Sequence, residues 1–166
     1  MDFKFSKSEE VIQKVAREFA EKEVAPLAEE IDRSGRFPEE TFNKMVKCGF
    51  TGIGVPVEYG GSGGDEITKI IVVSEIAKKC AATAAILSIH GIFPQTILRF
   101  GTEEQKKKYL PLVTGGGKKT AFALTEPNAG SDAASVKTVA VSDGDDYVIT
   151  GTKCFICLLY TSDAAD

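Results

Sequence analysis

Hydrophobic periodicity changes once along this sequence, and the change dictates a chain in two parts. Up to about residue 115 apolar residues recur at steps of three and four, the repeat of one helix face. Beyond the triple glycine Gly115-Gly116-Gly117 they alternate, the repeat of a strand. The expected fold is therefore mainly α with a partial β-domain. Residues 1–117 form an all-helical N-terminal domain, and residues 118–156 open a β-domain.

In the helical part, Ser6 and Glu9 make a capping box from which a helix is expected to about Ser34. Its stripe is Ile12, Val15, Phe19, Val24, Leu27 and Ile31, with a bend at Pro26, which has no N–H to give. Gly35 stands where a helix ends. Pro38, Glu39 and Glu40 suit the start of a second helix, which buries Phe42, Met45 and Val46 and stops at Gly49. The glycine-rich run 52–65 contains no G-x-x-x-x-G-K-[ST], and Pro56 interrupts any G-x-G-x-x-G. It reads as a shaped connector rather than a phosphate cradle.

Asp65 caps a third helix expected to bury Ile67, Ile70, Ile71, Ala77 and Cys80 on one face, widened by Val72, Val73 and Ile76 so that the helix is largely buried. From Cys80 to Leu98 there are 19 residues without a charge, close to the roughly 20 that span a bilayer. Thr83, Ser88, His90, Gln95 and Thr96, with Gly91 and Pro94, weaken the transfer energy. A buried central helix is expected there, and no membrane span. His90, the single histidine, reads as a satisfied core residue. Thr102 and Gln105 form a second capping box, Lys106 to Lys108 a solvated face, and Pro111 with the glycines closes the helical part.

Beyond it, strands are expected over Thr120–Leu124, over Val136–Val141 and, after an Asp143-Gly144 hairpin signal, over Tyr147–Thr150. So few strands cannot close a barrel or a sandwich. A net charge of −4 gives no reason to expect nucleic-acid binding. Met1 to Phe5 lead into no apolar h-region, which suggests a cytoplasmic protein. Cys48, Cys80, Cys154 and Cys157 read as free thiols: the C-x-x-C at 154–157 lacks the second pair that zinc requires, so no metal is expected.

The chemistry-bearing stretch is the junction itself, AFALTEPNAGSD at 121–132. An uncharged apolar run meets Thr125 and Glu126, then a Pro-Asn-Ala-Gly turn, then Ser131-Asp132. A turn on a rigid scaffold can aim backbone N–H groups at a ligand. Taken singly, Thr125 could end a strand, residues 128–130 could be only a turn, and Ser131 could be an N-cap.

Four stretches taken together resemble the acyl-CoA dehydrogenases, in particular the short-chain, butyryl-CoA type. They are FPEETFNKMVKCGFTGIGVPVEYGG (37–61), FGTEEQKKKYLP (100–111), AFALTEPNAGSD (121–132) and DYVITGTKCFI (146–156). The resemblance covers nearly all of residues 1–156. It implies a fold of an N-terminal helical domain, a middle β-domain and a C-terminal four-helix domain, with FAD as cofactor. It further implies a flavoprotein oxidoreductase of fatty acid metabolism that uses an acyl-CoA substrate, hands electrons to an electron-transferring flavoprotein and assembles as a homotetramer.

By the same resemblance, Phe122, Ala123, Leu124, Thr125, Gly130, Ser131, Phe155 and Ile156 are the cofactor-binding residues. The backbone near Leu124 and the Thr125 hydroxyl would face the pyrimidine edge of the ring and stabilise negative charge developing there. Ser131 would contact the CoA portion, and Phe155 would pack along the isoalloxazine. The family reaction takes an α-proton with a glutamate base and passes the β-hydride to the flavin, giving the trans-2-enoyl-CoA. That glutamate lies in the family's C-terminal domain and no carboxylate here matches it, so no catalytic residue is assigned. The chain alone is expected to be inactive.

The family pattern continues after Phe155-Ile156 with a threonine and Asn-Gly, whereas this chain has Cys157. Residues 157–166 therefore read as a non-family tail, a frameshift or adaptor read-through at the end of a truncated gene. Two alternatives stay open: a non-catalytic helical interaction module with a β pairing edge, and a piece of an acyl-CoA oxidase.

Overall fold

A computed structural model describes residues 4–159, which separate into a unit ending at Thr120 and a second beginning at Ala121. Helix α1 (Lys7–Phe19) starts at the capping box, with Glu9 N–H donating to Ser6 Oγ at 3.3 Å and Ser6 N–H to Glu9 Oε2 at 2.6 Å. The single bent helix expected to Ser34 is more broken than its periodicity suggests. The chain widens into a π-helical turn at Ala20–Val24, tightens into a 3₁₀ turn at Ala25–Leu27, and resumes as α2 (Ala28–Ser34). Pro26 is the cause: without an N–H it interrupts the i→i−4 ladder, and the turns around it change pitch to regain hydrogen bonds. Gly35, at φ 68°, ends α2 as expected.

Helix α3 (Glu39–Lys47) buries Phe42 and Met45. The connector that follows is pinned by its own backbone. Gly54 N–H donates to Gly63 O at 2.8 Å, Ser62 N–H to Gly52 O at 2.9 Å, and Gly63 N–H to Val55 O at 2.9 Å. A Cβ on Gly61 would overlap the Val55 carbonyl oxygen, so the strands of this loop touch only because glycine is there.

Helix α4 (Glu66–Ala77) is capped by Asp65, which accepts from Thr68 N–H at 2.9 Å. Of the broad apolar face expected to be buried, Ile71, Val72 and Ile76 are inside, together with Glu75, while Ile67, Ile70 and Ala77 are exposed, so the helix is buried on one side only. Apolar side chains run all around this helix, so periodicity could not choose a face. The choice is made by α1, whose Gln13 and Arg17 bond the buried Glu75.

The uncharged stretch divides at Gly91 into α5 (Ala81–His90) and α6 (Ile92–Phe100). By length and composition alone, Ala81–Phe100 could cross a membrane. Thr83, Ala84, Leu87 and His90 are buried, yet Ala81, Ala82, Ala85 and Ser88 are exposed. The buried central helix expected there is thus two helices, the first of them buried along one face. Helix α7 (Glu103–Thr114) opens at the second capping box, with Gln105 N–H donating to Thr102 Oγ1 at 3.2 Å, and runs through Pro111 rather than stopping at it. Phe19 and Phe50 meet edge to face at 5.2 Å in a core that also holds Phe42, Met45, Val72 and Ile76.

The expected strand at Thr120–Leu124 is absent: the segment is irregular, and among the described residues no strand lies beside it to complete a ladder. Strand β1 (Val139–Asp143) pairs antiparallel with β2 (Asp146–Thr150) in the register Val139↔Thr150, around a two-residue turn with Gly144 at φ 63°. Positive φ at that first turn position suits the primed hairpin turns. β1 starts later than the expected Val136 because the N–H groups of Lys137 and Thr138 are taken by a carboxylate, Glu126, instead of a strand.

Candidate functional site

The junction motif folds as a closed turn in the second unit. Glu126 N–H donates to Ala129 O at 3.0 Å and Ala129 N–H returns to Glu126 O at 3.1 Å, with Pro127 and Asn128 at the apex. Proline fixes φ and asparagine suits a turn, which is why Glu126-Pro127-Asn128-Ala129 closes on itself. The Glu126 side chain, 7% exposed, then becomes the hub of the unit. It accepts from Lys137 N–H at 2.8 Å, from Thr138 N–H at 3.0 Å, from the Thr138 hydroxyl at 2.5 Å and from Lys153 Nζ at 3.0 Å. The Thr138 hydroxyl first, then the Lys137 N–H and the Lys153 ammonium, hold its carboxyl down at about 2.

Lys153 also donates to Leu124 O at 2.9 Å. One residue on, Cys154 N–H donates to Thr125 O at 3.0 Å. Residues 124–126 are thus tied to 153–154 by one ammonium and one backbone bond. Behind the turn lies a cavity of about 250 Å³ lined by Glu126, Asn128, Lys137, Thr138, Gly151 and Thr152.

What these ties leave open matters as much. Among the described residues, nothing bonds the Thr125 hydroxyl or the N–H groups of Phe122, Ala123, Leu124 and Thr125. Phe122 and Leu124 are exposed, as are Ala123, Gly130 and Ser131, and a Cβ on Gly130 would meet only open space. Phe155 is 84% exposed and stands at φ 57°, the one non-glycine residue with positive φ among the described residues. A bulky residue in that conformation is uncommon, and such outliers concentrate at ligand sites. Ile156, by contrast, is buried, so its side chain is on the inside of this unit. Thr125, Leu124 and Phe155 are brought together through the Lys153–Cys154 ties; Ser131 lies beyond the turn, with no bond to them.

His90 takes the core role expected of it. Its Nε2 is 2.9 Å from Val113 O, its Nδ1 is 3.2 Å from Thr120 Oγ1, and Phe42 lies against its ring at 5.3 Å. Burial pushes its pKa down, so it is neutral at pH 7. Sequence reasoning assigned no part to Lys153. It stands 27 residues from Glu126, and no local spacing links the two.

Comparison with known proteins supplies the class first. Over 94% of its length the chain superposes on the structure of butyryl-CoA dehydrogenase from Megasphaera elsdenii, with a TM-score of 0.86, 38% identity and 42% of that chain covered. A structure described as an electron transferring flavoprotein of Acidaminococcus fermentans gives 0.89, with 43% identity over 94% of this chain and 41% of that one. An acyl-CoA dehydrogenase from Bacillus anthracis, complexed with FAD, gives 0.79 at 36% identity over 92% of this chain and 26% of that one. The fold is thus that of the acyl-thioester flavoprotein oxidoreductases.

The sequence profiles are more particular. Residues 6–117 match the acyl-CoA dehydrogenase N-terminal domain and residues 121–164 its middle domain. The chain belongs to the acyl-CoA dehydrogenase family. The middle-domain match runs past Cys157 to residue 164; Leu158, inside it, is buried, and the rest of the tail from residue 160 lies outside the described residues. Among relatives, an acryloyl-CoA reductase (NADH) from Anaerotignum propionicum is 58% identical over 94% of this chain. A short-chain-specific acyl-CoA dehydrogenase from Clostridium acetobutylicum is 49% identical over 94%. The chain spans only 40% and 41% of the length of these two relatives.

Proposed function

We propose that residues 121–156 carry one side of a flavin site, and that the protein is the N-terminal part of an FAD-dependent oxidoreductase acting on the Cα–Cβ bond of a short-chain acyl-CoA. The observation that carries this reading is the free edge at Phe122–Thr125. A flat heterocycle with a hydrogen-bonding rim needs donors beside apolar cover, and here an unpartnered hydroxyl and N–H groups sit among exposed Phe122 and Leu124. The donor set fits the flavin. When bound, FAD supplies the two-electron acceptor for the α and β hydrogens of the thioester. The chain's own part is to donate hydrogen bonds from Thr125 and its neighbours, to cover the ring with Phe155, and to meet the CoA portion at Ser131. Electrons then pass to an electron-transferring flavoprotein, and a homotetramer is the expected assembly.

The reaction runs as dehydrogenation to the trans-2-enoyl-CoA. A second direction is favoured by one finding: the relative at 58% identity is named a reductase. Reduction of a 2-enoyl-CoA uses the same bond and the same cofactor with the electron flow reversed, so the site described serves either.

The test is to titrate the purified 166-residue chain with FAD and follow quenching of flavin fluorescence, then to add butyryl-CoA and a dye. Saturable quenching, weakened about tenfold in Thr125→Val by loss of one hydrogen bond, is expected, without dye reduction. Equal response to FAD in the wild type and Thr125→Val would count against the site. Dye turnover by the chain alone would show that it contains a base not recognised in its sequence.

A further inference from the structure

Within the second unit, the segment carrying the free donors has no regular secondary structure of its own. An irregular segment with unpaired N–H groups has many conformations of similar energy, and ordering one costs conformational entropy. Something must therefore specify the orientation of Thr125. The only bonds from outside residues 121–132 that reach residues 124–126, among the described residues, come from two places. Lys137 and Thr138 grip the Glu126 carboxylate. Lys153 spans Leu124 O and Glu126 Oε1, with Cys154 N–H on Thr125 O beside it.

We propose that Lys153 and Glu126 form a positioning clamp that holds Thr125 ready for the flavin, a function that rests on the flavin reading above. The clamp acts at both flanks of Thr125. Lys153 Nζ fixes the carbonyl before it and the side chain after it, so the intervening peptide is held at three consecutive residues. The bonds consume carbonyls and a carboxylate, not donors. Every N–H from Phe122 to Thr125 and the Thr125 hydroxyl remain available, and this division of acceptors from donors gives the segment its polarity toward a ligand. Lys153 can do this because its ammonium has three N–H donors, and two are spent on Leu124 and Glu126. The same clamp sets the base of the step to Phe155, two residues beyond Lys153, where the backbone enters positive φ. Neither residue touches the reacting atoms in this scheme: both act through Thr125 and Phe155.

The test uses amide hydrogen exchange by NMR on the full 166-residue chain together with FAD titration. In Lys153→Met, exchange at Cys154 N–H is expected to rise at least tenfold, with the amides of α1, α4 and α7 unchanged, and FAD affinity to fall at least tenfold. Lys153→Arg, which keeps the charge and the donors, is expected to restore both. Unchanged exchange at Cys154 in Lys153→Met overturns the clamp. So does faster exchange with FAD affinity intact. If the wild-type chain takes up no FAD while exchange responds as expected, the flavin reading fails and the clamp survives as the device that orders this turn.

Discussion

Glu75 offers the most direct probe of how the helical unit is held. Its side chain is 3% exposed and receives Gln13 Nε2 at 3.0 Å, Arg17 Nε at 3.3 Å and Lys78 Nζ at 2.7 Å. Burial alone would raise its pKa; the Arg17 and Lys78 bonds outweigh that and hold it below the usual range. Replacing it by glutamine keeps the shape and removes the charge. Charge-assisted bonds contribute about 1.5–3 kcal/mol each when well buried, but Arg17 and Lys78 are 51% and 59% exposed, so water screens much of this. The expected net loss for Glu75→Gln is about 1–2 kcal/mol, or roughly 2–8 °C in Tm.

The pH dependence carries the sign. A depressed carboxyl pKa stabilises the fold above the unfolded value of about 4.3 and loses that contribution as pH falls through the lower folded value. Urea unfolding followed by circular dichroism should therefore show wild type above Glu75→Gln at pH 7, with the two converging at acid pH. Equal stability at pH 7, or a gap that widens on acidification, would refute the assignment of Glu75 as the α1–α4 tie.

Three further outcomes are expected. His90 is buried neutral, so below about pH 6.5 the unfolded chain takes the proton first and stability falls as pH drops toward the lower folded value; a His90→Gln chain should lose that slope in the same unfolding series. Gly61→Ala should abolish the cooperative unfolding transition because its Cβ overlaps the Val55 carbonyl, whereas Gly115→Ala, with nothing within 4 Å, should fold normally. Glu126→Gln should speed exchange at the Lys137 and Thr138 amides, which donate to it at 2.8 and 3.0 Å, and the difference should shrink only in strong acid, since the carboxyl is held at about 2.

Much of the helical unit was legible because its signals are local. The two capping boxes, the C′ glycine at 35 and the Asp65 cap each involve residues within four positions, and each was found where expected. What was hidden depends on partners distant in sequence. The face that α4 buries was decided by Gln13 and Arg17, about 60 residues earlier. The late start of β1 was decided by Glu126, whose carboxylate takes the two N–H groups that alternation alone would give to a strand. The site motif itself could be read as a turn with donors. That its donors stay free, while Lys153 occupies the neighbouring acceptors, follows from a contact no spacing rule predicts.

The central claim is that the edge from Phe122 to Thr125, with Phe155, faces a flavin. It is tested most directly by recording ¹H–¹⁵N spectra of the labelled 166-residue chain during titration with FAD. Progressive shifts at the amides of Phe122 to Ser131 and of Phe155, with α1 to α4 unmoved, are the predicted result. Shifts confined to the helical unit, or none at all at FAD concentrations that saturate fluorescence quenching, would contradict it.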